Sequence, residues 1–136
     1  VDIKPDEIQT AIIIPKEKYL NYHGHYIKYA MRNALDITTT GCSVNVKLSE
    51  DKKTFIDVRI AYGVAGPIPM RAKTAEDFIR GKSVSEETAL EFSKQVLNDI
   101  NPRDSWRASK ALRQHLCCEL AYRALKESVN LAGGEM

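Results

Sequence analysis

At 136 residues, 43% of them hydrophobic and 28% charged, the chain has the size and composition of one globular domain able to bury a core. Lys and Arg total 20 against 18 Asp and Glu, a net charge of +2 scattered along the sequence instead of gathered into a stripe, which argues against a nucleic-acid partner. Apolar stretches such as Ala11 to Ile14 are too short to span a bilayer and no signal-peptide pattern opens the sequence, so the expectation is a cytoplasmic protein with no membrane contact. Cys42, Cys117 and Cys118 are odd in number and two are adjacent, which suits core packing better than a disulfide framework or a metal site. The sequence opens at Val1, without an initiator Met, directly onto IKPDEIQTAIIIP, and reads as cut from a longer polypeptide.

The first predicted element is a strand at Ile8 to Ile14, mostly buried and ended by Pro15. Lys16 to Thr40 shows no clean period and is read as a long functional loop. Alternation resumes at Cys42 to Leu48, with Val44, Val46 and Leu48 on one face, and again at Ile56, Val58 and Ile60, opposite Asp57 and Arg59. The polar SEDKKT between these runs closes a hairpin, so they are expected to pair antiparallel with one apolar face to cover.

Helices are expected to supply that cover. Thr74 is placed as the cap of a short helix that ends near Gly81, and Ser85 as the cap of a second whose first turn carries Glu86 and Glu87. Pro102 breaks the chain after the second helix, and a third runs from about Ser105 to Leu131, with Leu112, Leu116, Leu120 and Ala124 in one row. The fold class is therefore α+β: a three-stranded, mainly antiparallel sheet packed against about three helices, the last one long.

No complete catalytic centre is evident, and no residue is assigned a catalytic role. His23 and His25 form an HxH pair, but nothing nearby completes a metal site, so no metal ligand is assigned. There is no GxSxG elbow and no Cys and His signature for nucleophilic catalysis, and neither GxGxxG nor GxxxxGK[ST] for a phosphate cradle. Three polar stretches stand out instead. In KYAMRNALDI, Lys28, Arg32 and Asp36 recur at intervals of four, which on a helix pairs their charges along one face or turns some of them toward an anionic or polar ligand. In GVAGPIPMRA, glycines and prolines fix an irregular turn before Arg71. In SWRASKALR, Arg113 falls on the side of Leu116, Cys117 and Leu120, so it should pair with a buried carboxylate or lie at an interface.

Taken together these stretches resemble the C-terminal domain of the FAD-binding subunit of molybdenum hydroxylases, the family of xanthine dehydrogenase and aerobic carbon monoxide dehydrogenase, with the xanthine dehydrogenase branch favoured. The resemblance rests on Lys28, Arg32, Asp36 and Ile37 before an alternating strand. It continues with Arg59, Ile60 and Ala61 running into Gly63, Val64 and Ala65, then Pro69, Arg71, Ala72, Glu76, Gly81 and Lys82. It ends with Pro102, Arg107, Ser109, Arg113, Arg123, Ala124 and Leu125, and so covers about Asp6 to Leu131. Departures are Ser105, where the family commonly has Asp, Leu112, where an aromatic is usual, and Thr38, where Ala is frequent.

The resemblance implies a C-terminal module, residues 15–136, preceded in residues 1–14 by the first strand and the end of a linker from an N-terminal FAD-binding domain. It implies an oxidoreductase in which a molybdenum centre with molybdopterin oxidises substrate, iron–sulfur clusters on partner chains carry the electrons, and FAD hands them to an acceptor such as NAD. By the same resemblance the flavin site, shared with the N-terminal domain, is bordered by Lys28, Tyr29, Arg32 and Asp36, and the isolated chain is inactive. A purely structural role in docking subunits is the alternative, and an interface module by itself would self-associate to cover apolar surface.

Overall fold

The computed structural model describes residues 3–136. Four strands form one sheet in the order β1 (His23–Tyr29), β2 (Thr40–Leu48), β3 (Phe55–Gly63) and β4 (Met70–Arg71), every neighbouring pair antiparallel. Three helices follow: α1 (Lys73–Ile79), α2 (Glu86–Gln95) and the long α3 (Lys110–Leu131). The α+β layout and the final long helix are as expected, but the sheet has four strands where three were predicted.

The alternation read in the sequence sets the layers. Cys42, Val44 and Val46 on β2 and Val58, Ile60 and Tyr62 on β3 all point to the buried side, where they meet Ala89, Phe92, Leu120, Ala121 and Leu125 of the helices. Each large apolar side chain so enclosed contributes about 2 kcal/mol relative to exposure. Two hydroxyls tie α3 to the sheet along its length: Tyr62 donates to the Cys117 carbonyl at 2.7 Å, and Ser128 donates to the Val44 carbonyl at 2.8 Å. Among the described residues no α-helix covers the opposite face of the sheet. Tyr22 crosses it to donate to Asp57 at 2.6 Å, and Arg59 donates to the Tyr22 hydroxyl and to Asp57.

Several expected boundaries change. Ile8–Ile14 forms no strand; it is irregular, with Ile8, Ile12 and Ile13 at least 80% exposed, because no neighbouring strand among the described residues takes up its backbone groups. The first strand lies instead inside the predicted loop, at His23–Tyr29, pairing with β2 from His23↔Val46 to Tyr29↔Thr40. Ser85 caps α2 as expected, accepting from Thr88 N–H. Thr74 does not cap α1, which starts at Lys73 after Ala72; its N–H and hydroxyl both donate to Asp99. The long helix begins at Lys110, not near Ser105, because Ser109 accepts from Leu112 N–H and so fixes the first turn there.

Candidate functional site

The three polar stretches singled out in the sequence meet at one end of the sheet. β1 ends at Tyr29 opposite Thr40, and Gly41 lies opposite Gly63, so the β1–β2 and β3–β4 connections leave from the same end of the sheet. The segment entering α3 joins them there, since Asn101 N–H donates to the Ala65 carbonyl at 3.0 Å and the first half of α3 lies over Tyr62. Tyr29 and α3 residues Leu112, His115 and Leu116 line an open groove at this end.

Lys28, Arg32 and Asp36 do come together, though not on a helix. Lys28 is the penultimate residue of β1, and residues 30–37 form an irregular turn. Asp36 is its hub: its carboxylate accepts from Arg32 N–H and from Ile37 N–H, each at 2.8 Å, while its backbone carbonyl accepts from the Lys28 ammonium at 2.8 Å. Desolvation is the largest single influence and raises the Asp36 carboxyl, but backbone N–H donors from Arg32, Ile37 and Met31 and the Arg32 charge together outweigh it and hold the group below the usual carboxylate range. The Arg32 side chain donates to the Leu35 carbonyl at 2.7 Å, stands 4.0 Å from Asp36 and is otherwise open to solvent, with 69% of it exposed. Leu35 is almost wholly exposed at φ 51°, a left-handed conformation that costs a branched residue energy.

The β3–β4 turn carries a second backbone outlier, Val64 at φ 67°. Arg71, at the end of this stretch, makes a bidentate pair with Glu76 at 2.7 and 2.6 Å. Glu76 is 2% exposed and also accepts from Ile60 N–H, so it fastens β3, β4 and α1 together. The sequence patterns above do not pair these two residues; the signal for the lock is an Arg five residues before an acid that falls on the apolar side of a helix.

Arg113 is 4% exposed, yet it meets no carboxylate among the described residues. It donates to Ser105 Oγ at 2.8 Å, and its Nε has no partner. Of the two expected roles, the buried ion pair is not formed among the described residues. Trp106 and Arg107 stack on one another, the guanidinium 4.1 Å from the ring centre, and both face solvent. His23 and His25 lie on β1, away from the Lys28–Ile37 turn.

The model of the CO dehydrogenase flavoprotein C-terminal domain matches residues 25–128. The chain belongs to that family. Along its whole length it is 38% identical to the xanthine dehydrogenase FAD-binding subunit of Escherichia coli O157:H7, covering 46% of that protein. It is 26% identical over 126 residues to the glyceraldehyde dehydrogenase medium chain of Sulfolobus acidocaldarius, covering 43% of it. The chain thus spans about half the length of the curated relatives it matches first. Among solved structures, quinoline 2-oxidoreductase from Pseudomonas putida 86 superposes with a TM-score of 0.75 at 23% identity, over 82% of this chain and 38% of that one. Carbon monoxide dehydrogenase from Hydrogenophaga pseudoflava gives 0.72 at 24% identity, over 84% and 37%. At those identities the superpositions establish the fold. Among the described residues no helix is long and apolar enough to cross a membrane.

Proposed function

We propose that this member of the family is the C-terminal module of the FAD-binding subunit of a xanthine dehydrogenase-like molybdenum hydroxylase, and that it completes the flavin site contributed mainly by a preceding FAD-binding domain, with residues 1–14 closing the linker between them. What carries the reading is the meeting of the three family stretches at one end of the sheet, on a chain whose whole length aligns with nearly half of proteins named as FAD-binding subunits.

The residues at that end fit the rim of a flavin and not the whole cofactor. An exposed guanidinium on an anchored turn suits the electron-rich edge of a ring system, and Tyr29, the last residue of β1 before that turn, offers a partly exposed aromatic surface. The sequence has no glycine-rich cradle for a diphosphate, so the phosphates fall to the preceding domain. When bound, FAD supplies the two-electron carrier between the iron–sulfur clusters of partner chains and an acceptor such as NAD. This chain's part is to hold Arg32 where its charge favours the reduced, anionic ring and attracts an anionic acceptor.

The test uses the complete subunit assembled with its partners. Arg32→Ala should lower the flavin midpoint potential or slow electron transfer to the acceptor, while substrate oxidation at the molybdenum centre keeps its rate. Unchanged values of both flavin properties would overturn the proposal. Impaired subunit assembly with normal flavin behaviour would instead favour the docking role, to which the exposed Trp106 and Arg107 also lend themselves.

A further inference from the structure

We infer that, within the Lys28–Ile37 stretch, Arg32 is presented to a ligand while Asp36 is a positioning residue spent on the turn itself. The inference rests on the function proposed above for the destination of Arg32, but its account of the turn does not.

The division follows from how each group's bonds are used. An ionised carboxylate accepts hydrogen bonds and donates none, and both Asp36 oxygens are taken by main-chain donors of the same turn, Oδ2 by Arg32 N–H and Oδ1 by Ile37 N–H. Only 17% of its side chain is exposed, in a turn where Met31, Arg32, Asn33, Ala34, Leu35 and Ile37 are all exposed. The Lys28 ammonium reaches back to the Asp36 carbonyl, which ties the last residues of β1 to the far side of the turn. Unlike the Asp36 carboxylate, the Arg32 guanidinium has one hydrogen bond, to the Leu35 carbonyl, and most of its donors remain free.

The turn also needs such bracing. Leu35 sits in the left-handed region, which destabilises the folded turn relative to open conformations by about 1 kcal/mol or more. The Asp36 bonds on either side of Leu35 and the Arg32 bond to its carbonyl oppose that strain. Removing the carboxylate should therefore release the turn and scatter the Arg32 charge over many positions, whereas removing the guanidinium should leave the turn in place with nothing to present.

The experiment is a mutant cycle in the complete, flavin-loaded subunit, read by amide hydrogen exchange and by flavin midpoint potential. Arg32→Gln should shift the potential and leave exchange at the Arg32-position and Ile37 amides unchanged. Asp36→Ala should speed exchange at both amides by about tenfold, the effect of losing a main-chain anchor, and shift the potential in the same direction. Asp36→Asn, which keeps one acceptor oxygen, should recover part of the protection. In the Arg32→Gln background Asp36→Ala should add nothing to the potential shift. An equal shift in both backgrounds would mean that Asp36 meets the ligand directly, and unaltered exchange in Asp36→Ala would mean that it does not hold the turn; either result overturns the inference. If exchange responds as described and the potential responds to none of the variants, the positioning account of the turn stands and the flavin assignment falls.

Discussion

Arg71 with Glu76 and Arg32 with Asp36 are built from the same chemistry, an arginine and an acid four or five residues further along, and they do opposite work. Glu76 is enclosed, receives a fork of two bonds from Arg71, and uses a remaining lone pair on Ile60 N–H, so one carboxylate fixes two strands and a helix. Asp36 lies on a surface turn, turns its oxygens to its own main chain and leaves Arg32 outside. Burial decides the difference. In a dry interior an acid cannot be left without its partners, so the pair becomes structural; at a wet edge the ion pair itself is worth little, and its arrangement matters for what it exposes.

The comparison can be broken at its buried side first. Glu76→Ala leaves the buried Ile60 N–H without its acceptor and releases Arg71, whose side chain solvent already reaches, and should cost about 1–3 kcal/mol in a denaturant titration of the complete subunit. If the loss is no larger than for a surface carboxylate, Glu76 is not the lock described here. A smaller effect of opposite sign is expected at Arg113, whose buried guanidinium has a neutral hydroxyl where a carboxylate would fit. Ser105→Asp should raise stability by about 1 kcal/mol, read as a higher denaturant midpoint, since bonds to a charged acceptor are roughly twice as strong as neutral ones. A lower midpoint would mean that the site is satisfied as it stands.

The smallest effect concerns the exposed side. Because the folded Asp36 carboxyl is held below its ordinary value of about 4, its contribution to the turn is fully present above that value and is lost as pH falls through the depressed one. Amide protection at Arg32 and Ile37 should then fade on acidification while protection in β2 and β3 persists. Simultaneous loss in the turn and in the central strands would show that the turn has no local stability of its own.

The central hairpin was legible because its information is local. Alternation from Cys42 to Leu48 and from Ile56 to Ile60 says which side chains share a face, and a polar connection of few residues leaves antiparallel pairing as the simple outcome. The same locality made the Ser85 cap readable, since a capping hydroxyl and the N–H that it accepts from lie three residues apart. The family stretches also placed Lys28, Arg32 and Asp36 in one cluster before the turn's geometry was known. Their helical arrangement was wrong because intervals of four describe a helix only if the main chain bonds to itself, and here Lys28 belongs to β1, whose bonds go to β2.

What the sequence determined by itself was therefore periodicity, caps and the identity of the charged groups. Which strand-like segment becomes a strand was decided by tertiary structure, since a strand requires a neighbour to take up its backbone groups. The isoleucine-rich run at Ile8–Ile14 has the better pattern and no such neighbour among the described residues, while the irregular His23–Tyr29 lies against β2 and pairs along its full length. Tertiary structure likewise brought residues 28–37, 63–72 and 105–113 to one end of the sheet, because register across three strands and the packing of α3 on Tyr62 are long-range facts that no local spacing records.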